Sequence, residues 1–161
     1  MANRQKEQMT RLGLLSLLPF IVAAVALWLS PWVLPQYFAL DFHQFALVYG
    51  GAMVAYLAGA GAGVTLSPAV KQYESFLPGQ LITAIAVVAI VPSGVFFFSL
   101  DAAWRHLIIL LLLIYLLMRD LQAASAGILP RWYAQLRIRL TLWAGLAISL
   151  IITRLFVWGF Y

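Results

Sequence analysis

The residues of this chain best suited to chemistry are two histidines, two aspartates and two arginines. They are Asp41, His43, Asp101, Arg105, His106 and Arg154. Imidazole nitrogens ligate haem and several metals, so a site shared by the two histidines is one alternative. No further His or Cys pattern accompanies them, and interfacial hydrogen bonding is therefore the favoured interpretation. Neither a metal nor a cofactor is predicted.

Reactive side chains are otherwise scarce in this sequence. The chain has no cysteine, which excludes disulfides, thiolate metal sites, iron–sulfur clusters and thiol catalysis. It shows no Ser-His-Asp set, no Glu-x-x-His motif and no convergent carboxylate pair. We therefore predict no catalytic residues, and an enzyme acting on lipid is the least favoured function because no acid is paired with a base.

The composition is that of a membrane protein. Hydrophobic residues make up 65% of the 161 positions and charged residues 9%, against about 25% charged in soluble domains. The net charge is +5, but the basic residues flank apolar stretches instead of gathering on a soluble face. Anionic lipid headgroups are therefore the expected partner, and nucleic acid is not.

Five apolar stretches could each form a membrane-spanning helix. The predicted spans are 12–32, 42–66, 81–100, 102–118 and 140–161. A β-barrel would need many segments of about ten residues alternating apolar and polar, and that pattern is missing. The sequence thus predicts an all-α protein with one transmembrane domain over 1–161, a five-helix bundle. Pro19 and Pro92 are expected to kink the first and third spans.

Basic residues alternate between the gaps and predict an orientation. Eight of them lie before the first span or in every second gap: Arg4, Lys6, Arg11, Lys71, Arg119, Arg131, Arg137 and Arg139. Positive charge is retained on the cytoplasmic side, so the N-terminus is expected in the cytoplasm and the C-terminus outside. A signal peptide cleaved near 24–26 is the alternative for the first stretch, but the apolar run continues past that point.

Small residues in the second span form a predicted helix-packing seam. Gly51, Ala55, Gly59 and Gly63 are each four apart and share one helix face. Small residues let helices approach closely in lipid, so this face is expected to pack. Packing within the chain is favoured, and homodimerisation or docking on a partner subunit is the alternative. A phosphate-binding loop is disfavoured, because no strand precedes the glycines and no Lys-Ser or Lys-Thr follows them.

Arg154 is the one charge that orientation does not explain. It lies about 21 Å beyond Leu140 along a helix, roughly 9 Å short of the far hydrocarbon boundary. We expect it to snorkel to the outer interface or to pair with Asp101 or Asp41 and so fix the last span. Contact with an anion or a substrate is the alternative.

A second cluster, the basic collar, lies between the fourth and fifth spans. Its members are Arg119, Asp120, Arg131, Trp132, Tyr133, Arg137 and Arg139. Arginines beside interfacial aromatic residues attract anionic headgroups, and a protein docking site is the other interpretation. Asp120 is expected to cap or pair with this segment, because the connecting loop is short and the two helices should pack antiparallel.

Part of the collar carries a resemblance to a known family. The run Leu-Pro-Arg-Trp-Tyr at 129–133, followed by Leu-Arg-Ile-Arg-Leu-Thr at 136–141, resembles the transmembrane protein 69-like family, also called domain of unknown function 3429. The segments 12–20 and 49–63 agree, so the resemblance covers nearly the whole chain. Such families tend to carry a Gly-Gly-x-His-Trp-Gly run in the second span, and this chain has neither that His nor that Trp. The resemblance implies a small multi-pass protein of bacterial inner membranes or mitochondria, with no established reaction.

The function expected from these observations is a structural one. We predict a non-enzymatic inner-membrane protein, an accessory, assembly or structural subunit of a larger complex, because the soluble parts are short and the seam offers an interface. The alternative is a small transporter or channel, in which Pro19, Pro92 and the glycine-rich span would supply broken helices. Spans two to four place no charged residue near the midplane, which speaks against it.

Overall fold

A computed structural model describes residues 2–30, 32–65, 77–92 and 100–158 as a bundle of helices. The helices are α1 (Ala2–Leu15), α2 (Leu18–Leu29), α3 (Gln36–Thr65), α4 (Leu77–Ile90), α5 (Ala102–Ser125) and α6 (Arg131–Trp158). Among the described residues, four stretches are long and apolar enough to cross a membrane: Lys6–Leu29, Gln36–Gly63, Ala102–Ser125 and Arg131–Val157. Since α1 and α2 share one crossing and α4 is a shorter apolar helix, the predicted all-α five-helix membrane bundle is confirmed.

Pro19 divides the first crossing into α1 and α2. The α-helical pattern stops at Leu15 and resumes at Leu18, so Pro19 lies in the first turn of α2, where its missing N–H costs nothing. The Ser16 hydroxyl donates to the Gly13 carbonyl at 2.6 Å across the break. The predicted kink is thus present as a helix break.

Three helices are longer than the predicted spans. The third helix begins at Gln36 instead of 42, the fifth ends at Ser125 instead of 118, and the sixth begins at Arg131 instead of 140. Hydropathy falls at the first charged residues, but a helix continues until a backbone signal ends it. The predicted span 81–100 includes residues 93–99, which lie outside the described residues. Lys71 lies within 66–76, which is also outside them.

The turn between α5 and α6 contains the backbone signal that ends α5. Gly127 has a φ of +77°, the left-handed conformation that commonly follows a helix. The backbone N–H of Ile128 donates to the Ala123 carbonyl at 3.0 Å, which satisfies one of the last carbonyls of α5. Pro130 then immediately precedes α6. The two helices therefore run antiparallel, as the short loop predicts.

Alanine supplies much of the bundle core. Its buried members include Ala23, Ala24, Ala39, Ala46, Ala58, Ala86, Ala89, Ala103, Ala144 and Ala147. Such small side chains let backbones approach, which is how helices gain contact in lipid.

The bundle has two unlike ends. The capped end is the end of the bundle where α2, α4 and α6 finish and where α3 and α5 begin. The opposite end carries the basic collar and is called the collar end.

Candidate functional site

Arg154 fastens α6 to the last turn of α2 at the capped end. Its side chain is 3% exposed, and the guanidinium donates to the Leu27 carbonyl at 3.0 Å and the Ser30 carbonyl at 2.8 Å. The last four carbonyls of a helix lack intrahelical partners, so an arginine suits this place by charge and by hydrogen bonding. The sequence predicted that Arg154 snorkels to the outer interface or pairs with Asp101 or Asp41; these two hydrogen bonds go to backbone oxygens, and both aspartates are exposed.

Arg105 fastens α5 to the end of α4 in the same way. It is 5% exposed although it lies in the first turn of α5. Its Nε donates to the Ala89 carbonyl at 2.7 Å, and its Nη2 donates to the Ile90 and Val91 carbonyls at 2.8 and 2.9 Å. Helix α4 ends at Ile90, and the last carbonyls of a helix lack partners within that helix. One guanidinium therefore satisfies three carbonyls.

His43 and His106 lie against each other beside this arginine. Their ring centroids are 5.6 Å apart, and both side chains are buried. His106 Nδ1 donates to the Ala102 carbonyl at 2.8 Å, which leaves Nε2 of the neutral ring as an acceptor. Neither His106 Nε2 nor His43 Nδ1 has a hydrogen-bond partner in the described part of the chain.

This pair does not make a recognisable metal centre. Within the described ranges, no three His, Cys, Asp or Glu side chains lie together. Two imidazoles are fewer than the three or four protein ligands of a typical zinc site, and the Arg105 cation stands next to them. The pair is better described as part of a buried polar layer. That layer consists of Ser30, His43, Arg105, His106 and Arg154.

The polar layer contains most of the predicted outer cluster. His43, Arg105 and His106 come together and Arg154 is buried at the same end, while Asp41 is exposed and Asp101 precedes α5 without a side-chain capping bond. Sequence reasoning missed Ser30, since a lone serine after an apolar run gives no signal. The position of the arginines was informative. Each lies within about two turns of the end of its own helix, and that end faces the end of another helix.

The predicted seam on α3 is covered at one end only. A Cβ on Gly51 would collide with Ile90 Cγ2, so α3 and α4 touch there. Ala55 is half-buried. A Cβ on Gly59 or Gly63 would meet no described atom within 4 Å. The seam therefore packs inside the chain near Gly51, and its half toward the collar end stays open among the described residues.

The basic collar is built around one ion pair. Arg137 Nε donates to Asp120 Oδ2 at 2.6 Å, with the Arg137 side chain 5% and the Asp120 side chain 20% exposed. Asp120 thus pairs with this segment, as expected. Arg131 and Arg139 are exposed, and Arg119 is half-buried. The Trp132 and Tyr133 rings meet edge to face with centroids 6.1 Å apart. All but Arg119 and Asp120 lie within α6, not in a loop before it.

A cleft opens beside this ion pair, between α1, α3 and α6. Its volume is about 530 Å³. Its walls are mostly apolar, with Tyr56, Tyr133 and Arg137 among the polar residues that line it. The apolar residues lining it include Met9, Leu12, Met53, Leu57, Leu136 and Leu140. No feature of the sequence pointed to the cleft, because it forms where α1 diverges from residues distant along the chain.

A family comparison accounts for most of the chain. Residues 5–153 match the family described as protein of unknown function, DUF3429. The chain belongs to the DUF3429 family. No curated protein and no solved structure matches it.

The region matched to DUF3429 contains nearly all of the features described above. It includes the ion pair of the collar, the cleft, the open half of the seam and every member of the polar layer except Arg154, which follows the last matched residue. The resemblance first seen in the 129–141 segment is thus confirmed at the level of the DUF3429 family. Since that family carries no assigned function, any function for this chain has to be argued from its own geometry.

Proposed function

We propose that this DUF3429 protein is a non-enzymatic subunit of a larger complex in the bacterial inner membrane, acting in assembly or support through helix packing. The observation that carries the proposal is the open half of the seam on α3. Gly59 and Gly63 present backbone that nothing described covers, on a helix long and apolar enough to span the bilayer. In lipid, such a face gains most by packing against another helix.

The arginines at the capped end support a structural role over transport. Arg105 and Arg154 direct their guanidinium groups to carbonyls at the ends of α4 and α2. A transporter needs polar groups that can exchange partners with a solute during its cycle. Groups that hold helix ends together inside a packed core instead favour a fixed arrangement of the bundle.

A partner subunit should be lost when the open face is filled. We expect Gly59→Leu to reduce a stoichiometric partner, co-purified in mild detergent, by about tenfold or more, since a bulky side chain prevents the close approach of two helices. The fold should persist, because a Cβ on Gly59 meets no described atom within 4 Å. The measurement is quantitative mass spectrometry of the purified complex.

Ala84→Leu on α4 is the matched control, since it adds the same bulk at another exposed small residue. It should leave the partner in place. A wild-type protein that purifies as a monodisperse monomer, indistinguishable in size from Gly59→Leu, would rule out the subunit proposal.

The proposed orientation places the collar end in the cytoplasm. Seven of the ten Lys and Arg residues lie at that end of the described helices, and Arg105 and Arg154 lie at the capped end. Positive charge is retained on the cytoplasmic side, which supports an N-terminus inside and a C-terminus outside.

Single cysteines test this orientation cleanly, because the chain has none of its own. We expect Gln36→Cys, exposed at the start of α3, to react with a membrane-impermeant maleimide in spheroplasts. Ser125→Cys, exposed at the end of α5, should react only after the membrane is opened. The reverse labelling pattern would invert the topology.

A further inference from the structure

The cleft at the collar end has the dimensions and lining of a ligand site. Its volume of about 530 Å³ lies within the usual range of about 300–1,000 Å³ for small-molecule pockets. Lining residues extend from Tyr49 to Ala60 on α3, about 16 Å along the helix axis. An apolar cleft that extends along the helices of a membrane bundle suits an alkyl chain.

One polar group in the wall lacks a partner. Arg137 lines the cleft, is 4% exposed, and uses Nε for Asp120. Its Nη2 is fully buried and has no hydrogen-bond partner in the described part of the chain. Buried N–H groups are nearly always satisfied in folded proteins, so this nitrogen calls for an acceptor that the described residues do not supply.

The charge around the cleft selects the kind of acceptor. Within the collar, Arg119, Arg131, Arg137 and Arg139 contribute +4 and Asp120 contributes −1, which leaves +3. A guanidinium prefers phosphate and carboxylate oxygens, to which it makes short charge-assisted bonds. An anionic headgroup is thus favoured by the collar as a whole, and its tail is favoured by the apolar walls.

We propose that the cleft binds an anionic phospholipid, with an acyl chain lying between α1, α3 and α6 and a phosphate or ester oxygen accepting a hydrogen bond from Arg137 Nη2. The Asp120–Arg137 ion pair fixes the guanidinium at the mouth of the acyl site. The remaining collar arginines hold the headgroup at the membrane surface. Gly59 and Gly63 are not among the residues that line the cleft, so the lipid proposal does not depend on the subunit proposal.

Binding of added lipid to the purified protein tests this site. Delipidated protein in detergent is offered phosphatidylglycerol or phosphatidylcholine of equal chain length, and bound lipid is counted by native mass spectrometry. We expect one phosphatidylglycerol per chain and about tenfold weaker retention of phosphatidylcholine. Arg137→Gln should reduce phosphatidylglycerol retention by about tenfold. Arg4→Gln removes the same charge from an exposed position on α1, outside the collar, and should retain phosphatidylglycerol.

A second variant keeps the test decisive if Arg137→Gln fails to fold once Asp120 loses its partner. Ala60→Phe places a ring in the cleft from the exposed side of α3 and leaves the ion pair intact. It should displace the lipid while helicity and melting temperature stay at wild-type values. Full retention of phosphatidylglycerol by Ala60→Phe, or equal retention of the two lipids by the wild-type protein, would overturn the proposal.

Discussion

Replacing Arg105 with methionine is expected to destabilise the folded protein by about 3 kcal/mol. Three carbonyls at the end of α4 lose their donor at once, and each unsatisfied buried acceptor costs about 1–3 kcal/mol. Removing a buried charge returns part of its desolvation cost, so the net loss is smaller than the sum of the three. Unfolding by SDS in mixed micelles, followed by tryptophan fluorescence, measures the change.

Two further variants serve as controls for the measurement on Arg105→Met. Arg139→Met changes an exposed arginine and should shift the unfolding midpoint little. Arg105→Lys keeps the charge but offers one compact donor group where the guanidinium reaches three oxygens, so its stability should fall between the other two. If Arg105→Met unfolds at the same SDS fraction as Arg139→Met, the carbonyls of α4 do not depend on Arg105.

Replacing Arg154 with methionine should cost about 2 kcal/mol by the same reasoning. The Leu27 and Ser30 carbonyls lose a charged donor, and hydrogen bonds to charged groups are worth about 1.5–3 kcal/mol each before the desolvation saving. Separation of α6 from α2 should follow, because this contact joins their ends. Hydrogen exchange of the last turn of α2, measured together with SDS unfolding, reports both effects.

Arg131→Met serves as the control, since Arg131 is an exposed arginine at the other end of α6. Its effect on the last turn of α2 should be negligible. Unchanged stability of Arg154→Met combined with loss of the co-purified partner would instead assign Arg154 to recognition.

The sequence was informative about helices and weak about their partners. Length and hydropathy predicted the four stretches that are long enough to cross and the shorter apolar helix α4, since an apolar segment in lipid has to satisfy its own backbone and becomes helical. The ends of α3, α5 and α6 were missed because hydropathy changes at the membrane surface while the helix itself continues to a backbone signal such as Gly127. The Asp120–Arg137 pair was predictable from a short loop between antiparallel helices.

The partners of Arg105 and Arg154 were not predictable in the same way. Their acceptors are backbone carbonyls, and every residue carries one, so no side-chain pattern marks them. The glycine seam shows a related limit. Periodicity places Gly51 and Gly59 on one face of α3, but the arrangement of the other helices decides that Ile90 covers the first and that no described atom covers the second.

The bond between Arg154 and Leu27 also has a consequence for the order of biosynthesis. The donor is translated 127 residues after its acceptor. Until α6 has entered the bilayer, the final carbonyls of α2 need water or a chaperone-supplied donor, because each unsatisfied group in hydrocarbon costs several kcal/mol. A nascent chain that stalls before Arg154 therefore presents an unfinished helix end.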